Sequence, residues 1–437
     1  AASRMAIGEA LTNLVSADVN LDRIILSANW MGACGAKGQD AALYDGVSAA
    51  SCFCQELGVS IPVGKDSLSM KTSWKDQAGE AKTVVSPVSL VVSAAAPVYD
   101  IRNNLLPMFA ESVRDSSLLL IDLGHGKDRL GGSVYSQVTQ RFDSVTPDME
   151  DPKELKKFLE LIRSLSAKGA ILAYHDRSDG GLAAALCEMM FASHVGVEIV
   201  ADALVSKDRT LNQALFNEEL GAVIQVARGR AAEVERDFEA AGMGWSLKYL
   251  GNLTQDDHLN IYLEGKCVLS EDRVDLQKAW NEVSWQIARM RDNPECVDSE
   301  YELISDKHNG GLVLTMGFDP EENLAAPFIN TGVRPKVAIL REQGVNSQNE
   351  MASAFLQAGF DAVDVHMTDL LEGRAKLADF VGLAACGGFS YGDVLGAGGG
   401  WAKTILHNAK LQSSFRRFFE TPTTFTSVSY THLTLPT

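Results

Sequence analysis

The hydrophobic pattern of the chain changes character at three points, Pro97, Trp280 and Lys336. Up to about residue 275, apolar runs of strand length alternate with segments of helical periodicity. A polar stretch follows, and from Lys336 the order strand, helix, strand begins again. Such alternation is typical of α/β folds, and in the last region it indicates a parallel, doubly wound sheet. We therefore predict an α/β chain built from more than one domain.

These changes of pattern divide the chain into segments. The segments are an N-terminal α/β subdomain truncated at its start (1–100), a connector (101–112), a second α/β subdomain (113–275), a linker (276–334), the beginning of a doubly wound domain (335–422) and a tail (423–437). The first residues, Ala-Ala-Ser-Arg-Met, already follow a helical pattern without an initiator methionine. We therefore expect that the sequence begins inside a longer protein.

Composition excludes several classes of protein. Lys and Arg number 39 against 57 Asp and Glu, giving a net charge of −18, which argues against nucleic acid as a partner. The longest apolar stretch, Val88 to Ala96, is too short for a membrane span, which needs about 18 residues. Seven widely spaced cysteines fit reduced thiols in a cytoplasmic protein. Cys52 and Cys54 belong to a helical pattern, where residues two apart point away from each other and cannot chelate a metal together.

Glu9 and Asn13 are the first candidate metal ligands. They stand four residues apart in the opening helix and so share one face. A carboxylate and an amide oxygen suit Mg²⁺, which prefers oxygen ligands and often bridges to nucleotide phosphates. The alternative interpretation is an ordinary solvated pair on a helix surface.

The segment His175 to Gly181 lies between a predicted strand and a predicted helix. Asp176, at the end of the strand, is positioned to reach a metal. Ser178 and Asp179 are candidate helix caps, and the two glycines would let backbone N–H groups approach phosphates. The alternative is a plain strand–turn–helix in which Ser178 and Asp179 only cap.

Two further motifs are considered as phosphate-binding or oxyanion-binding loops. Gly64-Lys65-Asp66-Ser67 lacks the upstream glycine of a P-loop, so a Walker A site is rejected, while a phosphate or charge-pairing role for Lys65 stays open. Cys386 precedes Gly387 and Gly388 at the end of a strand, a position that predicts burial. The two glycines suit an oxyanion loop better than they suit a nucleophile elbow.

Together these motifs resemble the phosphoribosylformylglycinamidine synthase family, in its large single-chain, glutamine-dependent form. The resemblance runs from about residue 1 to residue 422 and keeps the family's order. It rests on GEALTN (8–13), LSANWM (26–31), PVGKDSLSMK (62–71), HDRSDGGL (175–182), FNEELG (216–221), RPKVAILREQGVNS (334–347) and ACGGFSYGDVLGAG (385–398).

The resemblance implies the second half of a synthetase similar to aminoimidazole ribonucleotide synthetase, followed by the start of a class I glutaminase domain. It implies a ligase of purine biosynthesis that uses ATP and Mg²⁺, with formylglycinamide ribonucleotide and glutamine as substrates, in a monomeric intact enzyme. Carried over by motif, Glu9, Asn13 and Asp176 would be Mg²⁺ ligands and Ser178 would contact the nucleotide. A competing expectation is a structural ADP–Mg²⁺ scaffold without turnover.

The sequence departs from the family after Pro422. There the family continues to a strand bearing the nucleophilic cysteine, with a histidine and a glutamate much later. This chain instead reads TTFTSVSYTHLTLPT, which resembles vector read-through and contains no cysteine. His407 and His432 are the histidines that follow Cys386, and neither has a reason to face it. We expect the chain to be catalytically inert. We also expect residues 335–437 to be poorly packed or aggregation-prone, because the sheet would have an unpaired edge and an exposed apolar face.

Overall fold

The computed structural model describes residues 1–113, 115–141, 145–306, 309, 311–396 and 398–428. The chain forms two compact units, Ala1–Gly310 and Gly311–Thr437. Both units combine helices and strands, so the predicted α/β class is confirmed. Within the described ranges, every helix is too short or too polar to cross a lipid bilayer.

The first part of the Ala1–Gly310 unit is a small sheet covered by two helices. Its elements are α1 (Ala2–Leu14), β1 (Ile25–Met31), α2 (Gln39–Leu57), β2 (Ser60–Ser67), β3 (Lys71–Lys75), β4 (Ala81–Val85) and β5 (Ser89–Ala95). The central strand β1 pairs in parallel with β2 and antiparallel with β5, while β3 and β4 form a separate hairpin.

The second part of this unit contains a larger mixed sheet. Its elements are β6 (Ser116–Asp122), α3 (Val134–Thr139), α4 (Pro152–Ala167), β7 (Ile171–Asp176), α5 (Gly181–Ser193), β8 (Val197–Val200), α6 (Leu211–Phe216), β9 (Gly221–Ala227), α7 (Ala231–Ala240), β10 (Leu247–Leu253), β11 (His258–Leu263), β12 (Lys266–Asp272), α8 (Arg273–Arg291) and α9 (Pro294–Glu302). The strands lie in the order β12-β11-β8-β10-β6-β9-β7.

Alternation along β6 explains why this sheet has a core on each face. Leu119 and Ile121 belong to one buried cluster, which also contains residues of α1, α2, α4 and α7. Leu118 and Leu120 belong to the other, which contains residues of α5 and α6. Successive side chains of a strand point to opposite faces, so one apolar strand contributes to both cores. The small sheet's helices thus share a core with the larger sheet.

Helix α4 follows directly from its sequence. Asp151 caps it by accepting the N–H of Lys153 at 2.8 Å, and Pro152 occupies the first turn, where its missing N–H costs nothing. Five apolar residues at helical spacing are all buried: Leu155, Phe158, Leu159, Ile162 and Leu165.

Helix α8 overlaps the start of the segment predicted as a linker (276–334), and Asp272 caps it by accepting the N–H of Val274 at 2.8 Å. Trp280 packs on Phe191 of α5 and donates its indole N–H to Glu188 at 3.2 Å. Trp285 stacks on Tyr301 of α9 with ring centroids 4.4 Å apart. Aromatic contacts therefore hold the α8–α9 pair and attach it to α5.

The Gly311–Thr437 unit has a parallel sheet with helices on both faces. Its elements are α10 (Ala326–Ile329), β13 (Lys336–Arg341), α11 (Gln348–Gln357), β14 (Asp361–His366), α12 (Met367–Glu372), β15 (Gly382–Ala385), α13 (Gly399–Leu406), α14 (Ala409–Glu420) and β16 (Phe425–Val428). The order is β14-β13-β15-β16, with every pair parallel. The parallel strands expected from residue 335 are present.

The extent of the tail differs from the expectation. The foreign tail was expected to begin at residue 423, yet β16 pairs with β15 in register from Phe425 to Val428. The ring of Phe425 packs with those of Phe355 and Phe360, which accounts for the strand's place in the sheet. Residues 429–437, including His432, lie outside the described residues.

The expectation of poor packing is wrong for the described residues. One sheet face carries a buried cluster that includes Trp401 and Phe415, from α13 and α14. The opposite face packs against Met351 and Phe355 of α11. Helices on both sides bury the apolar strands, as parallel sheets require.

Candidate functional site

Helix α1 presents Glu9 and Asn13 to a cleft because its other face is buried. Ile7 and Leu11 are almost fully inaccessible in the core. The buried hydroxyl of Tyr174 on β7 donates to the carbonyl of Thr12 at 2.6 Å, which fixes the end of α1 against the end of β7. The face that carries Glu9 and Asn13 is therefore held beside the carboxyl end of a strand.

The four residues singled out in the sequence meet at this point. Asn13 donates its amide N–H to Asp176 Oδ1 at 3.3 Å, and Ser178 donates its hydroxyl to Glu9 Oε1 at 2.5 Å. All four line one cleft of about 560 Å³, together with residues of β5. Residues from two distant parts of the chain thus form one polar cluster.

The turn after β7 differs from the expected cap. Gly180 is the N-cap of α5 and no side chain caps the helix from within the turn. The hydroxyl of Ser178 is instead bonded to Glu9, and the N–H of Gly181 donates to the carbonyl of Ser178 at 3.0 Å. The N–H of Gly180 donates to Glu218 at 3.0 Å. Both glycine amides are therefore engaged inside the protein, so the expectation that they face a phosphate is not met.

Asp176 is a buried carboxylate, only 5% exposed. Burial raises its pKa, while the neighbouring His175 and the hydrogen bond from Asn13 act in the opposite direction. A cation in the cleft would relieve this cost, since a desolvated carboxylate gains most from an opposite charge.

His175 forms a second hydrogen-bonded pair beside Asp176. Its Nε2 lies 3.0 Å from Glu188 Oε2, and its Nδ1 lies 2.7 Å from the carbonyl oxygen of Asp176. Burial disfavours the charged imidazole, but these two acceptors outweigh burial and raise the pKa of His175. The sequence pattern predicts no role for His175 or Glu188.

Arg177 points away from the cluster and is held by an anion of its own. It is 1% exposed, its Nη2 lies 2.6 Å from Asp122 Oδ1, and its Nε donates to the carbonyl of Glu219 at 2.5 Å. Lys248 reaches the other oxygen of Asp122 at 3.0 Å. Burial alone would raise the pKa of Asp122, but the two cations lower it well below its usual range. This network anchors the turn that carries Asp176 and Ser178.

The FNEELG segment forms a wall of a second, smaller cleft. That cleft, of about 320 Å³, is lined by Glu9, Ser178, Glu218 and the Gly131–Gly132 turn, among others. The next residue, Glu219, is 1% exposed and pairs with Arg129 at 2.6 Å. In the sequence, this segment contributed only to the family resemblance and was assigned no chemical role. Two adjacent glutamates immediately before a buried strand are the signal that could have identified it.

The donor set fits a hard divalent cation in chemical type. Glu9 and Asp176 supply carboxylate oxygens and Asn13 an amide oxygen. In the part of the chain that the structure describes, no three His, Cys, Asp or Glu side chains gather as a metal cage. Mg²⁺ commonly takes one or two carboxylates and completes its shell with water and phosphate oxygens. A cation here would accordingly need a ligand's phosphates.

Lys65 lies on β2, where its backbone is in register with Asn29 of β1, and its side chain is exposed. It is absent from the described residues that line the two clefts. A Walker A motif forms a glycine-rich loop, but residues 64–67 lie on a strand. This agrees with the rejection of a Walker A site.

In the other unit, the Gly387–Gly388 loop is held by backbone bonds. The N–H of Asn346 donates to the carbonyl of Gly387 at 3.1 Å, and the N–H of Phe389 donates to that of Gly344 at 2.8 Å. Cys386 is fully buried, as expected, and burial raises the pKa of its thiol. His407 follows the end of α13 and is exposed.

Side chains from two strand ends also meet near this loop. Glu342, after β13, accepts the hydroxyl of Tyr391 at 2.8 Å and lies 3.2 Å from His366 Nε2 at the end of β14. Tyr391 also lies 3.3 Å from Thr404 of α13. The carboxylate of Glu342 therefore connects two strand ends to the glycine loop.

Three family models match successive parts of the chain. Residues 1–97 match the FGAR-AT PurM_N-like domain, and residues 116–264 match the C-terminal domain of AIR synthase related proteins. Residues 334–427 match the CobB/CobQ-like glutamine amidotransferase domain. The last match extends past Pro422 into β16, in agreement with the pairing of that strand.

Several solved structures resemble the chain weakly. A HypE–HypF complex is 17% identical, with a TM-score of 0.45 over 62% of this chain and 83% of that chain. PurLQS from Thermotoga maritima is 12% identical, with a TM-score of 0.42 over 62% of this chain and 40% of that chain. T. maritima PurL complexed with ATP is 13% identical, with a TM-score of 0.41 and the same coverages. The match thus spans less than half of the Thermotoga chains, and likenesses this weak establish no function.

Proposed function

Because its three matched domains make this chain an FGAR amidotransferase-type protein, we propose that the Ala1–Gly310 unit binds ADP or ATP together with Mg²⁺. The site would be the cleft between α1 and the turn that joins β7 to α5. The observation that carries the proposal is the meeting of Glu9, Asn13, Asp176 and Ser178.

In this proposal each side chain has a distinct task. Glu9, Asn13 and Asp176 would hold Mg²⁺, which would neutralise phosphate charge when bound. Ser178, whose hydroxyl is held by Glu9 at 2.5 Å, would contact the nucleotide. The buried Arg177–Asp122 pair keeps the turn in place.

We also propose the family's reaction for the intact enzyme, which would act as a cytoplasmic monomer. ATP would phosphorylate the amide oxygen of formylglycinamide ribonucleotide, and ammonia released from glutamine would then displace the phosphate. We expect the isolated chain to be catalytically inactive.

Within this site, one observation favours a structural ADP–Mg²⁺ scaffold over turnover. Arg177 is the one Lys or Arg among the described residues that line the two clefts, and Asp122 already holds it. Phosphoryl transfer depends on cationic groups that stabilise the charge developing in the transition state. The cleft therefore suits holding a nucleotide better than cleaving one.

Calorimetry with ADP and Mg²⁺ tests the proposed binding. Asp176→Ala should weaken ADP–Mg²⁺ binding, while Asp22→Asn, an exposed control on the same unit, should leave the affinity unchanged. Unchanged affinity in Asp176→Ala would remove that residue from the site. Adding ammonia with ATP and formylglycinamide ribonucleotide then separates the two functions, because turnover would support an enzyme and tight ADP binding without turnover a scaffold.

A further inference from the structure

One oxygen atom connects the two glycine turns of the smaller cleft. Glu218 Oε1 accepts the N–H of Gly180 at 3.0 Å and the N–H of Val134 at 2.9 Å. Gly180 precedes α5 and Val134 begins α3, so the two donors belong to separate parts of the chain. The Gly131–Gly132 turn, just before Val134, and the Ser178–Asp179 segment, just before Gly180, both line this cleft.

The location of Glu218 is electrostatically unfavourable. Burial raises its pKa, and the nearby carboxylates of Asp179 and Glu9 raise it further, while the two N–H groups act in the opposite direction. A half-buried carboxylate beside two others gains its stability from the hydrogen bonds it accepts. These two bonds are the ones that join the walls of the cleft.

We propose that Glu218 is a positioning residue of the nucleotide site, which sets the distance between the two turns by holding both with one carboxylate oxygen. The inference rests on the proposed nucleotide function. Glu218 acts through the backbone at Gly180 and Val134, and so through the placement of Ser178, Asp179 and the Gly131–Gly132 turn. A nucleotide then meets a cleft of fixed width.

The test compares three variants of the full chain. Glu218→Ala removes the accepting oxygen, whereas Glu218→Gln keeps an oxygen and removes the charge. Val234→Ala truncates a fully buried residue of α7 and so reports the effect of lost stability alone. For each protein, amide hydrogen exchange at Gly180 and Val134 is measured without ligand, and the Kd for ADP in excess Mg²⁺ is measured by calorimetry.

In Glu218→Ala, protection of both amides should fall together by about tenfold or more, and the Kd should rise by about tenfold. In Glu218→Gln both quantities should stay within about threefold of wild type, because the accepting oxygen is retained. Val234→Ala should lower the melting temperature without a change at either amide or in the Kd.

Two results would overturn the inference. One is that Glu218→Ala leaves either amide protected, and the other is that it exposes both amides while the Kd stays unchanged. If wild-type protein binds no ADP, the proposed function fails, and the exchange data still decide whether Glu218 holds the two turns. Joint loss of protection supports that link, and independent behaviour of the two amides refutes it.

Discussion

Both units of the chain contain a pair of glycines after a strand, but the pairs have different surroundings. Around Gly180–Gly181, side chains whose oxygen atoms could ligate a cation or contact a nucleotide converge from α1, β7 and the turn itself. In the unit of Gly387–Gly388, Tyr391 and His366 are both paired with Glu342, and Cys386 is buried. A glycine pair at a strand end therefore does not define a site. The side chains that other elements bring to it decide what it can bind.

The largest effect is expected from Asp122, which anchors the first glycine turn through Arg177. Asp122→Ala leaves the buried Arg177 and the partly buried Lys248 without their partner and should lower the free energy of unfolding by about 3–5 kcal/mol at pH 7. Denaturant unfolding of the two proteins measures this. Asp292→Ala, which breaks an exposed pair with Arg291, should leave the midpoint unchanged.

The same variant has a defined pH dependence. The pKa of Asp122 is lowered in the folded protein, so its contribution is complete above its unfolded pKa of about 4 and is lost as the pH falls through the folded value. The difference between wild type and Asp122→Ala should stay constant from about pH 5 to 8 and shrink in more acid solution. A difference that grows on acidification would contradict the assigned network.

A smaller loss of stability is expected from glycine substitution in the turn. Gly181 has φ +68°, and a Cβ there would lie 2.5 Å from the carbonyl oxygen of Asn217, so Gly181→Ala should cost about 2–3 kcal/mol. Gly132→Ala is the matched control, because φ is +80° but nothing lies within 4 Å, and about 1 kcal/mol is expected. Equal losses in thermal unfolding would mean that the close approach to Asn217 is not a constraint.

Removing a carboxylate should change the affinity for ADP–Mg²⁺ in one unit and not in the other. Glu9→Gln removes a carboxylate from the cleft and should weaken ADP–Mg²⁺ binding by about tenfold, since a neutral amide is a poorer ligand for a hard cation. Glu342→Gln changes the corresponding carboxylate of the other unit and should leave the affinity at the wild-type value. Calorimetry on both variants decides, and a comparable loss in Glu342→Gln would remove the distinction between the units.

No effect is expected from Cys386→Ala. Class I glutaminases need a cysteine thiolate, and burial disfavours the thiolate of Cys386 by raising its pKa. The purified chain incubated with glutamine should release glutamate at the rate of buffer, with or without Cys386. A faster rate that disappears in Cys386→Ala would identify this cysteine as a nucleophile.

Local patterns predicted the elements better than the contacts between them. The order of strand, helix and strand after Lys336 follows from periodicity alone, and the structure has it as β13, α11 and β14. Strand β2 was missed because its Gly64-Lys65-Asp66-Ser67 segment is polar and mostly exposed, which removes the apolar signal of a strand. The strand β16 was missed because its residues were attributed to a foreign tail.

The same limit applies to the site, where local patterns identified single residues but not the contacts between them. The spacing of Glu9 and Asn13 puts them on one helix face, and the sequence pattern puts Asp176 at the end of a strand. Before the structure, only the family resemblance predicted that these residues lie close together. Glu188 could not be identified, since its partner is a histidine on another element. The adjacent glutamates could have drawn attention to Glu218, but not to the two distant backbone amides that it binds. Long-range packing selects such partners, and no local sequence rule describes it.

The binding of a nucleotide with a divalent cation at α1 and the β7–α5 turn is tested most directly by diffraction from crystals grown with ADP and Mn²⁺, at a wavelength where manganese scatters anomalously. We predict a Mn²⁺ peak at roughly 2.1 Å from carboxylate oxygens of Glu9 and Asp176, with ADP phosphates completing the shell. Nucleotide density elsewhere, or ADP in this cleft without a cation on either carboxylate, would contradict it.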